Sequence, residues 1–421
     1  MVVVFALVVL AVLAALVALH WYAWRRLVRD TTRGPGLARR TGTAVLVAGP
    51  VLMVAALVAE RAGAPFWLQR VLGWPGFLWM ALTLYLLLAL LAGELVRPLV
   101  RRLAERGARA EQTAPAPVPD AEPVPAGPAP VDPEPAPPQE PPQHQSAPSR
   151  RLFVSRVVGG AVATAAVGTV GYGTYGVLRG PAVKRVTVPL AKLPRAAHGF
   201  RIAVVSDIHL GPVLGRGFAQ KVVDTINSTQ PDLIAVVGDL VDGSVQDLGP
   251  AAAPLSQLKA RHGSYFVTGN HEYFSGADEW VEEVRRLGLH PLRNARTELP
   301  AFDLAGVDDL AGESEGEGPD FTKALADRDT SRAVVLLAHQ PLQIHEAVRH
   351  HVDLQLSGHT HGGQLWPGNF IAAAANPTVA GLDRYGDTQL YVSRGAGAWG
   401  PPTRVGAPSD ITVVELASKQ A

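Results

Sequence analysis

The stretch RIAVVSDIHL (residues 201–210) joins a run of apolar, largely β-branched residues to two polar ones, Asp207 and His209. Four further apolar runs in the second half of the chain end in the same way. Continuous apolar runs of this length are typical of strands buried on both faces, so the polar residues after them would converge on one rim of a sheet. These runs lead into Gly238-Asp239, Gly269-Asn270, His339 and Gly358-His359.

The segment between the first two runs has a helical pattern, from Phe218 to Ser228. A strand, a helix and a second strand in succession indicate a β-α-β unit with parallel strands. Glycines directly before three of the polar residues would permit a sharp turn at each strand end. The sequence therefore predicts an α/β domain over residues 189–418.

The polar residues at the run ends are of the types that bind borderline divalent ions. Imidazole, carboxylate and amide oxygen suit zinc, manganese or iron, and the chain has no cysteine that would favour softer ions. One such motif alone is weak, because aspartates and single histidines are common at strand ends, so the argument depends on the whole ordered set. The set is Asp207-Ile-His209, Gly238-Asp239-Leu-Val-Asp242, Gly269-Asn270-His271-Glu272, His339 and Gly358-His359-Thr-His361.

This ordered set resembles the calcineurin-like metallophosphoesterase superfamily. The extended motif GHTHGGQ (residues 358–364) and the later Ser393-Arg394-Gly395 resemble its small bacterial membrane-linked branch. The resemblance covers residues 196–418. It implies a four-layer αββα sandwich, in which two mixed sheets are flanked by helices.

The resemblance also implies a role for each site residue. Asp239 would bridge two divalent ions, whose mutual repulsion a shared carboxylate reduces, and a shared hydroxide would attack phosphorus. His271 would protonate the departing alkoxide and Asp242 would orient it, although Asp242 could instead cap the turn before Gly243. The implied ligands are Asp207, His209 and His361 for the first metal, and Asn270, His339 and His359 for the second.

Three further residues have two open interpretations each. Glu272 either supports the site from behind the ligands or is an acid at a helix N-terminus. Arg394 and Arg404 stand near glycines and prolines close to the last strands. Each arginine is a candidate ligand for a substrate phosphate, with a structural salt bridge as the competing interpretation.

The first 112 residues have a different composition and predict a transmembrane region with three helices. The apolar segments Val2–Leu19, Thr43–Ala59 and Gly76–Leu95 are each near the length that crosses a bilayer. Six arginines crowd the first loop and five follow the third segment, whereas the loop between the second and third segments has two. The positive-inside rule therefore places the first loop in the cytoplasm and the N-terminus outside.

Two segments connect this region to the α/β domain. Residues 113–149 are dense in proline, alanine and acidic residues, which predicts a disordered linker. Residues 150–180 begin with Arg150-Arg151 before a glycine-rich apolar stretch, which resembles a twin-arginine signal that acts as an anchor. The competing interpretation is an ordinary fourth span with a cytoplasmic arginine flank. Both interpretations place the following domain outside the cytoplasm.

The resulting hypothesis is a multi-pass cell-membrane protein with an extracytoplasmic domain that hydrolyses a phosphomonoester or phosphodiester. Expected partners are the membrane and a phosphorylated substrate such as a phospholipid, a lipid-linked precursor or a cell-wall polymer. A net charge of +1 gives no reason to expect a nucleic-acid partner.

Two alternatives belong to other functional classes. A non-catalytic, metal-stabilised membrane sensor or scaffold would be expected to lose Asp239 or His271, and both are present. Transport through the N-terminal spans would call for ionisable residues within them, and the three segments are uncharged apart from Glu94 at the end of the third.

Overall fold

The computed structural model describes residues 2–113 and 150–420. The chain divides into two compact units. The first consists of Met1–Val47 and Leu86–Ala165, and the second of Ala48–Tyr85 and Ala166–Ala421. The predicted linker lies, except for its first residue, outside the described residues.

Four helices in the described part of the chain are long and apolar enough to cross a membrane by length and composition. The three apolar segments predicted from the sequence lie inside the first three helices, and the arginine-led segment forms the fourth. The third helix has 48 residues and extends well beyond the predicted segment at both ends. The four are α1 (Val2–Trp24), α2 (Leu37–Arg61), α3 (Phe66–Thr113) and α4 (Arg150–Leu178).

The second unit contains two six-stranded sheets, counted within the described residues. The strands of the first are β1 (Ala182–Leu190), β2 (Phe200–Val205), β3 (Leu233–Val237), β4 (Ser264–Val267), β5 (His290–Pro291) and β12 (Asp410–Ser418). They are arranged in the order β1-β12-β2-β3-β4-β5. Because β2, β3, β4 and β5 are parallel, their carboxyl ends meet at one edge.

The strands of the second sheet are β6 (Ala295–Glu298), β7 (Asp303–Gly306), β8 (Val334–Leu337), β9 (Leu354–Ser357), β10 (Gly381–Tyr385) and β11 (Thr388–Val392). Their order is β10-β11-β9-β8-β7-β6, with β7, β8, β9 and β11 parallel. The five apolar runs predicted as strands form β2, β3, β4, β8 and β9.

Helices cover the outer faces of both sheets. The shorter helices are α5 (Arg216–Ser228), α6 (Val245–Ala252), α7 (Asn270–Ser275), α8 (Ala277–Arg286), α9 (Phe321–Leu325), α10 (Ile344–Arg349) and α11 (Gly368–Ala375). Val222 of α5 and Trp280 of α8 are buried with Ile234 against the first sheet. Phe321 and Ile344 are buried against the second. Leu354, Leu304 and other residues of the inner faces form the core between the sheets, so the predicted four-layer α/β sandwich is confirmed.

The sheet begins earlier than the sequence predicts. The predicted boundary at Pro189 falls near the end of β1, which pairs with β12 in parallel from Ala182 to Leu190. Successive side chains of β1 alternate between exposed and partly or fully buried positions, so the strand lacks the continuous apolar run that marks the inner strands.

Candidate metal centre

The predicted ligands stand on strained turns directly after the parallel strands. Five of them have the left-handed backbone that non-glycine residues rarely adopt, with φ of 51° at Asp207, 49° at His209, 52° at Asp239, 71° at His359 and 52° at His361. Such strain costs free energy and persists where the surrounding structure enforces it, which is typical of functional sites. The turns aim these side chains at a common point instead of along the strands.

The neighbouring glycines serve two different purposes. Gly238 has φ of 73°, as the sequence argument expected of a sharp turn. Gly358 is needed for space, because a Cβ there would lie 2.5 Å from Asp207 Oδ2. The left-handed turn after β9 is made by the ligand His359 itself.

One cluster joins the ends of β2 and β9. The ligand atoms of Asp207, His209 and His361 lie within 4.8 Å of one another. His209 Nε2 is 3.0 Å from His361 Nε2, and His361 Nε2 is 3.4 Å from Asp207 Oδ1. All three side chains are buried. Two imidazoles and one carboxylate at this spacing can hold a divalent ion.

A second cluster joins the ends of β3, β8 and β9. Asp239, His339 and His359 also place their ligand atoms within 4.8 Å of one another. Asn270 lies beside them, with Oδ1 2.9 Å from His359 Nδ1. Imidazole, carboxylate and amide oxygen are again the donor types expected of a divalent metal site.

Asp239 lies between the two clusters. Its Oδ2 is 3.2 Å from His339 Nε2 and 3.7 Å from His209 Nε2. Its Oδ1 accepts a hydrogen bond from the backbone N–H of His271 at 2.9 Å. One carboxylate oxygen is thereby held in place while the other faces ligands of both clusters.

The hydrogen bonding of His339 shows whether the second cluster is suited to a cation. Its Nδ1 lies 2.8 Å from the carbonyl oxygen of Val237 and must donate to it, which leaves a lone pair on Nε2 of the neutral ring. That buried Nε2 has no hydrogen-bond partner among the described residues and faces the Asp239 carboxylate. Positive charge must therefore lie between Nε2 and the carboxylate. Burial opposes protonation, but the charge of Asp239 outweighs it and raises the pKa of His339 well above its ordinary value, and a divalent ion held by these ligands would supply the same charge.

Burial keeps two of the histidines in the form that binds metals. It lowers the pKa of His359 to about 4 and lowers the pKa of His361 well below its ordinary value. Neutral imidazole is the ligand form. Burial also raises the pKa of Asp207, as expected for a carboxylate withdrawn from water.

Asp242 joins His271 to the first cluster. Its Oδ1 lies 2.7 Å from His271 Nδ1 and 2.9 Å from His209 Nδ1, so it fixes both rings. Burial alone would lower the pKa of His271, but the hydrogen bond to Asp242 and the charge of Asp239 outweigh it and raise the pKa. Bound cations would lower the pKa of His271. With Nδ1 held by Asp242, the His271 ring lies 4.7 Å from the ring of His209, between centroids.

Glu272 combines both interpretations left open by the sequence. It is the third residue of α7 and caps the start of the helix by accepting from the N–H of Gly269. Its carboxylate also accepts from the N–H groups of Asp239 and Leu240 at 2.9 and 2.7 Å. One buried carboxylate thus holds the turns after β3 and β4 together.

Arg404 is not a phosphate ligand, which corrects one of the two interpretations. It is buried, and its guanidinium donates to the carbonyl oxygens of Gly397, His361 and Ala407 at 2.6, 3.0 and 3.1 Å. Its Nη2 also lies 3.1 Å from His361 Nδ1. Arg404 therefore positions the candidate ligand His361. Arg394 keeps a partly exposed side chain, 3.9 Å from Asp410, and stays a candidate for the phosphate.

Three residues beside His271 were missed by the sequence argument. The rings of Trp399 and Phe274 lie 5.5 and 5.7 Å from the His271 ring, between centroids. Gln364 forms a reciprocal pair of hydrogen bonds with the backbone of Trp399, at 2.9 and 3.0 Å. Gln364 is the last residue of GHTHGGQ, so the motif contained a signal for this contact.

Two mixed sheets carrying a His/Asp cluster at their strand ends define the class of metal-dependent phosphoesterases. Residues 200–363 match the family model described as calcineurin-like phosphoesterase. A metallophosphoesterase of Aquifex aeolicus is 35% identical over 242 residues, which cover 56% of this chain and 92% of that protein. The chain belongs to the calcineurin-like metallophosphoesterase family.

Two further relatives extend the comparison. A "transmembrane protein with metallophosphoesterase domain" of Danio rerio is 40% identical over 264 residues, covering 59% of this chain and 60% of that protein. The metallophosphoesterase YkuE of Bacillus subtilis is 32% identical over 245 residues, covering 55% and 84%. The chain thus spans about 60% of the length of the Danio relative.

Proposed function

We propose that this chain is a membrane-anchored hydrolase of phosphomonoesters or phosphodiesters that uses two divalent ions. The observation that carries the proposal is the position of His271, which Asp242 holds beside a cluster suited to metals. Zinc, manganese and iron all suit the donor set. In this proposal Asp207, His209 and His361 hold one ion, Asn270, His339 and His359 hold the other, and Asp239 is shared.

When bound, the ions would activate a water molecule and withdraw charge from the phosphoryl oxygens. Water would supply the oxygen that bonds to phosphorus and would release one proton to the solvent, while the bond from phosphorus to the ester oxygen would break. His271 Nε2 gives its proton to the departing alkoxide, while its Nδ1–H stays bonded to Asp242. Asp242 acts as a positioning residue that fixes the tautomer of the ring. Arg394 is proposed to contact a phosphate oxygen.

The substrate is proposed to be a phospholipid, a lipid-linked precursor or a cell-wall polymer, because the domain belongs to a chain with four candidate spans. The test is a substrate panel on the full-length protein, loaded separately with zinc, manganese or iron. Hydrolysis of at least one aryl phosphate with one of these ions is expected. Absence of turnover with every ion, in protein shown to bind metal, would overturn the proposal.

We propose that the multi-pass region lies in the cell membrane with the metal centre on its outer side. The arginine distribution supports this orientation, because the connection between α2 and α3 has few arginines and belongs to the same compact unit as the metal centre. Protease added to intact cells should cleave the domain. Protection of the domain until the cells are lysed would contradict this orientation.

The pair Arg150-Arg151 is proposed to act as a twin-arginine-type signal. Replacement of both arginines by lysine keeps the charge and removes the guanidinium groups. Loss of the domain from the outer surface would support a signal, whereas unchanged insertion would favour an ordinary fourth span.

A further inference from the structure

A patch of apolar side chains lies in water-accessible positions near the metal centre. We define the apolar patch as Trp366, Phe370, Ile371 and Trp399, whose side chains are 50%, 66%, 77% and 53% exposed. Phe370 and Ile371 belong to α11, and none of its residues, all of which the structure describes, is buried. An uncharged helix that buries no side chain of its own gains no stability from a core. It calls for an apolar partner.

The apolar patch is continuous with the candidate spans. Tyr85 of α3 donates a hydrogen bond to the carbonyl oxygen of Trp366 at 3.0 Å. A Cβ at Gly400, next to Trp399, would lie 3.4 Å from Met80 Cε of the same helix. The exposed helix α11 therefore begins next to an apolar helix that is long enough to cross a bilayer.

The helix α4 provides a second, independent indication of where the membrane–water interface lies. Thr174 and Thr403 approach each other to 2.7 Å between hydroxyl oxygens, and Arg404 N–H donates to the carbonyl oxygen of Gly173 at 3.3 Å. On the same turns of α4, Tyr172 and Tyr175 are 80% and 63% exposed. Exposed tyrosine and tryptophan side chains near the end of a span are typical of the membrane–water interface.

The patch also borders the reacting groups. The ring of Trp399 lies 5.5 Å from the His271 ring, and Gln364 binds the Trp399 backbone. Gln364 is two residues before Trp366 and three after the candidate ligand His361. A molecule lying across the patch would have one end next to the proposed proton donor.

Resting on the proposed function, we infer that the apolar patch lies in the outer-leaflet interface and admits a membrane lipid phosphoester to the metal centre. The phosphate group faces His271 and the acyl chains lie against Trp366, Phe370 and Ile371. Ile371 and the alanines of α11 add an aliphatic surface that suits acyl chains beside the aromatic rings of the patch. Lipid and interfacial helix interact through the apolar contact that this patch provides.

The first test measures the position of the patch without relying on activity. The chain has no cysteine, so Phe370→Cys gives the full-length protein a single site for an environment-sensitive fluorophore. The control is Arg261→Cys, an exposed position just before β4 at the opposite edge of the sheet. In phosphatidylcholine nanodiscs, we expect blue-shifted emission quenched by nitroxide-labelled lipid at position 370 only. Water-like, unquenched emission at both positions would overturn the inference, and Ile371→Cys repeats the measurement.

The second test measures lipid access. The double variant Phe370→Ser/Ile371→Ser is compared with the unmodified chain on long-chain phosphatidic acid in nanodiscs and on a soluble aryl phosphate. We expect a rate on the lipid that is lower by at least about tenfold, because burial of one large apolar side chain already has about that effect on an equilibrium constant and two are replaced. The aryl rate should be unchanged. Equal rates on the lipid would contradict the inference. Unmodified protein inactive on both substrates would instead contradict the proposed function, with the fluorophore result still deciding the position of the patch.

Discussion

The metal centre and the apolar patch are neighbouring regions with opposite exceptions to the usual rule that polar side chains are exposed and apolar ones buried. The metal centre buries carboxylates and histidines such as Asp207, Asp239 and His339, whereas the patch exposes Phe370 and Ile371. Buried polar groups and exposed apolar groups both cost free energy in a folded chain in water. In the proposed function, a bound cation would offset the cost in the metal centre and a bilayer would offset it at the patch. The buried polar groups and the exposed apolar groups together mark the surfaces where ligands are proposed to bind.

The largest effect is expected where one buried side chain serves both clusters. Asp239→Asn keeps the shape of the side chain and removes the charge shared between His339 and His209. Turnover of an aryl phosphate should fall roughly 10⁴-fold. When several residues act as a unit, the loss of one costs nearly as much as the loss of all of them. The measurement combines turnover with the metal content of the purified protein.

Asp224→Asn is the matched control for this prediction, because Asp224 is exposed on α5. It should leave turnover and metal content unchanged. Full turnover in the Asp239 variant would show that the reaction does not need this carboxylate, and it would contradict the proposed metal assignment.

The proton donor should give the next largest effect, and that effect should depend on the leaving group. His271→Ala is expected to slow an alkyl phosphate by about 10²- to 10⁴-fold, because a poor leaving group needs protonation. An aryl phosphate should lose far less. The ratio of the two rates, measured beside the exposed control His345→Ala, isolates proton donation from any structural effect. An equal loss on both substrates would contradict the role of His271.

The sequence predicted which residues come together at the strand ends better than it predicted the contacts that hold them. Asp207 and Asp239 could be placed because each follows an apolar run, and the order of the motifs supplied the rest. The contact of Asp242 with His271 was predicted, but the contacts of Asp242 with His209 and of Arg404 with His361 were not, since they join distant segments that only the folded sheets bring together. β1 was missed because its side chains alternate in burial, and α11 gave no signal because an exposed apolar octapeptide looks like part of a core.

An effect of intermediate size is expected at Arg404, which holds residues of the metal centre in place. Arg404→Lys keeps the charge but cannot reach the carbonyl oxygens of Gly397, His361 and Ala407 together. Metal affinity should weaken about 10- to 100-fold, as is common when a residue behind a ligand is replaced. Metal titration of the purified protein provides the measurement. Arg384→Lys, at an exposed arginine of β10, should bind metal normally.

The smallest effect is expected at the apolar patch when no bilayer is involved, and it gives the sharpest contrast between the two kinds of environment. Phe370→Ser should change the free energy of unfolding by no more than about 0.5 kcal/mol in detergent, because the side chain is 66% exposed and supports no core. The same substitution at Phe302, which is fully buried between the sheets, should cost about 3–5 kcal/mol. Thermal unfolding of the two variants under one condition makes the comparison. A large loss at Phe370 would mean that α11 packs within the folded chain, and the bilayer would then no longer be needed to explain its composition.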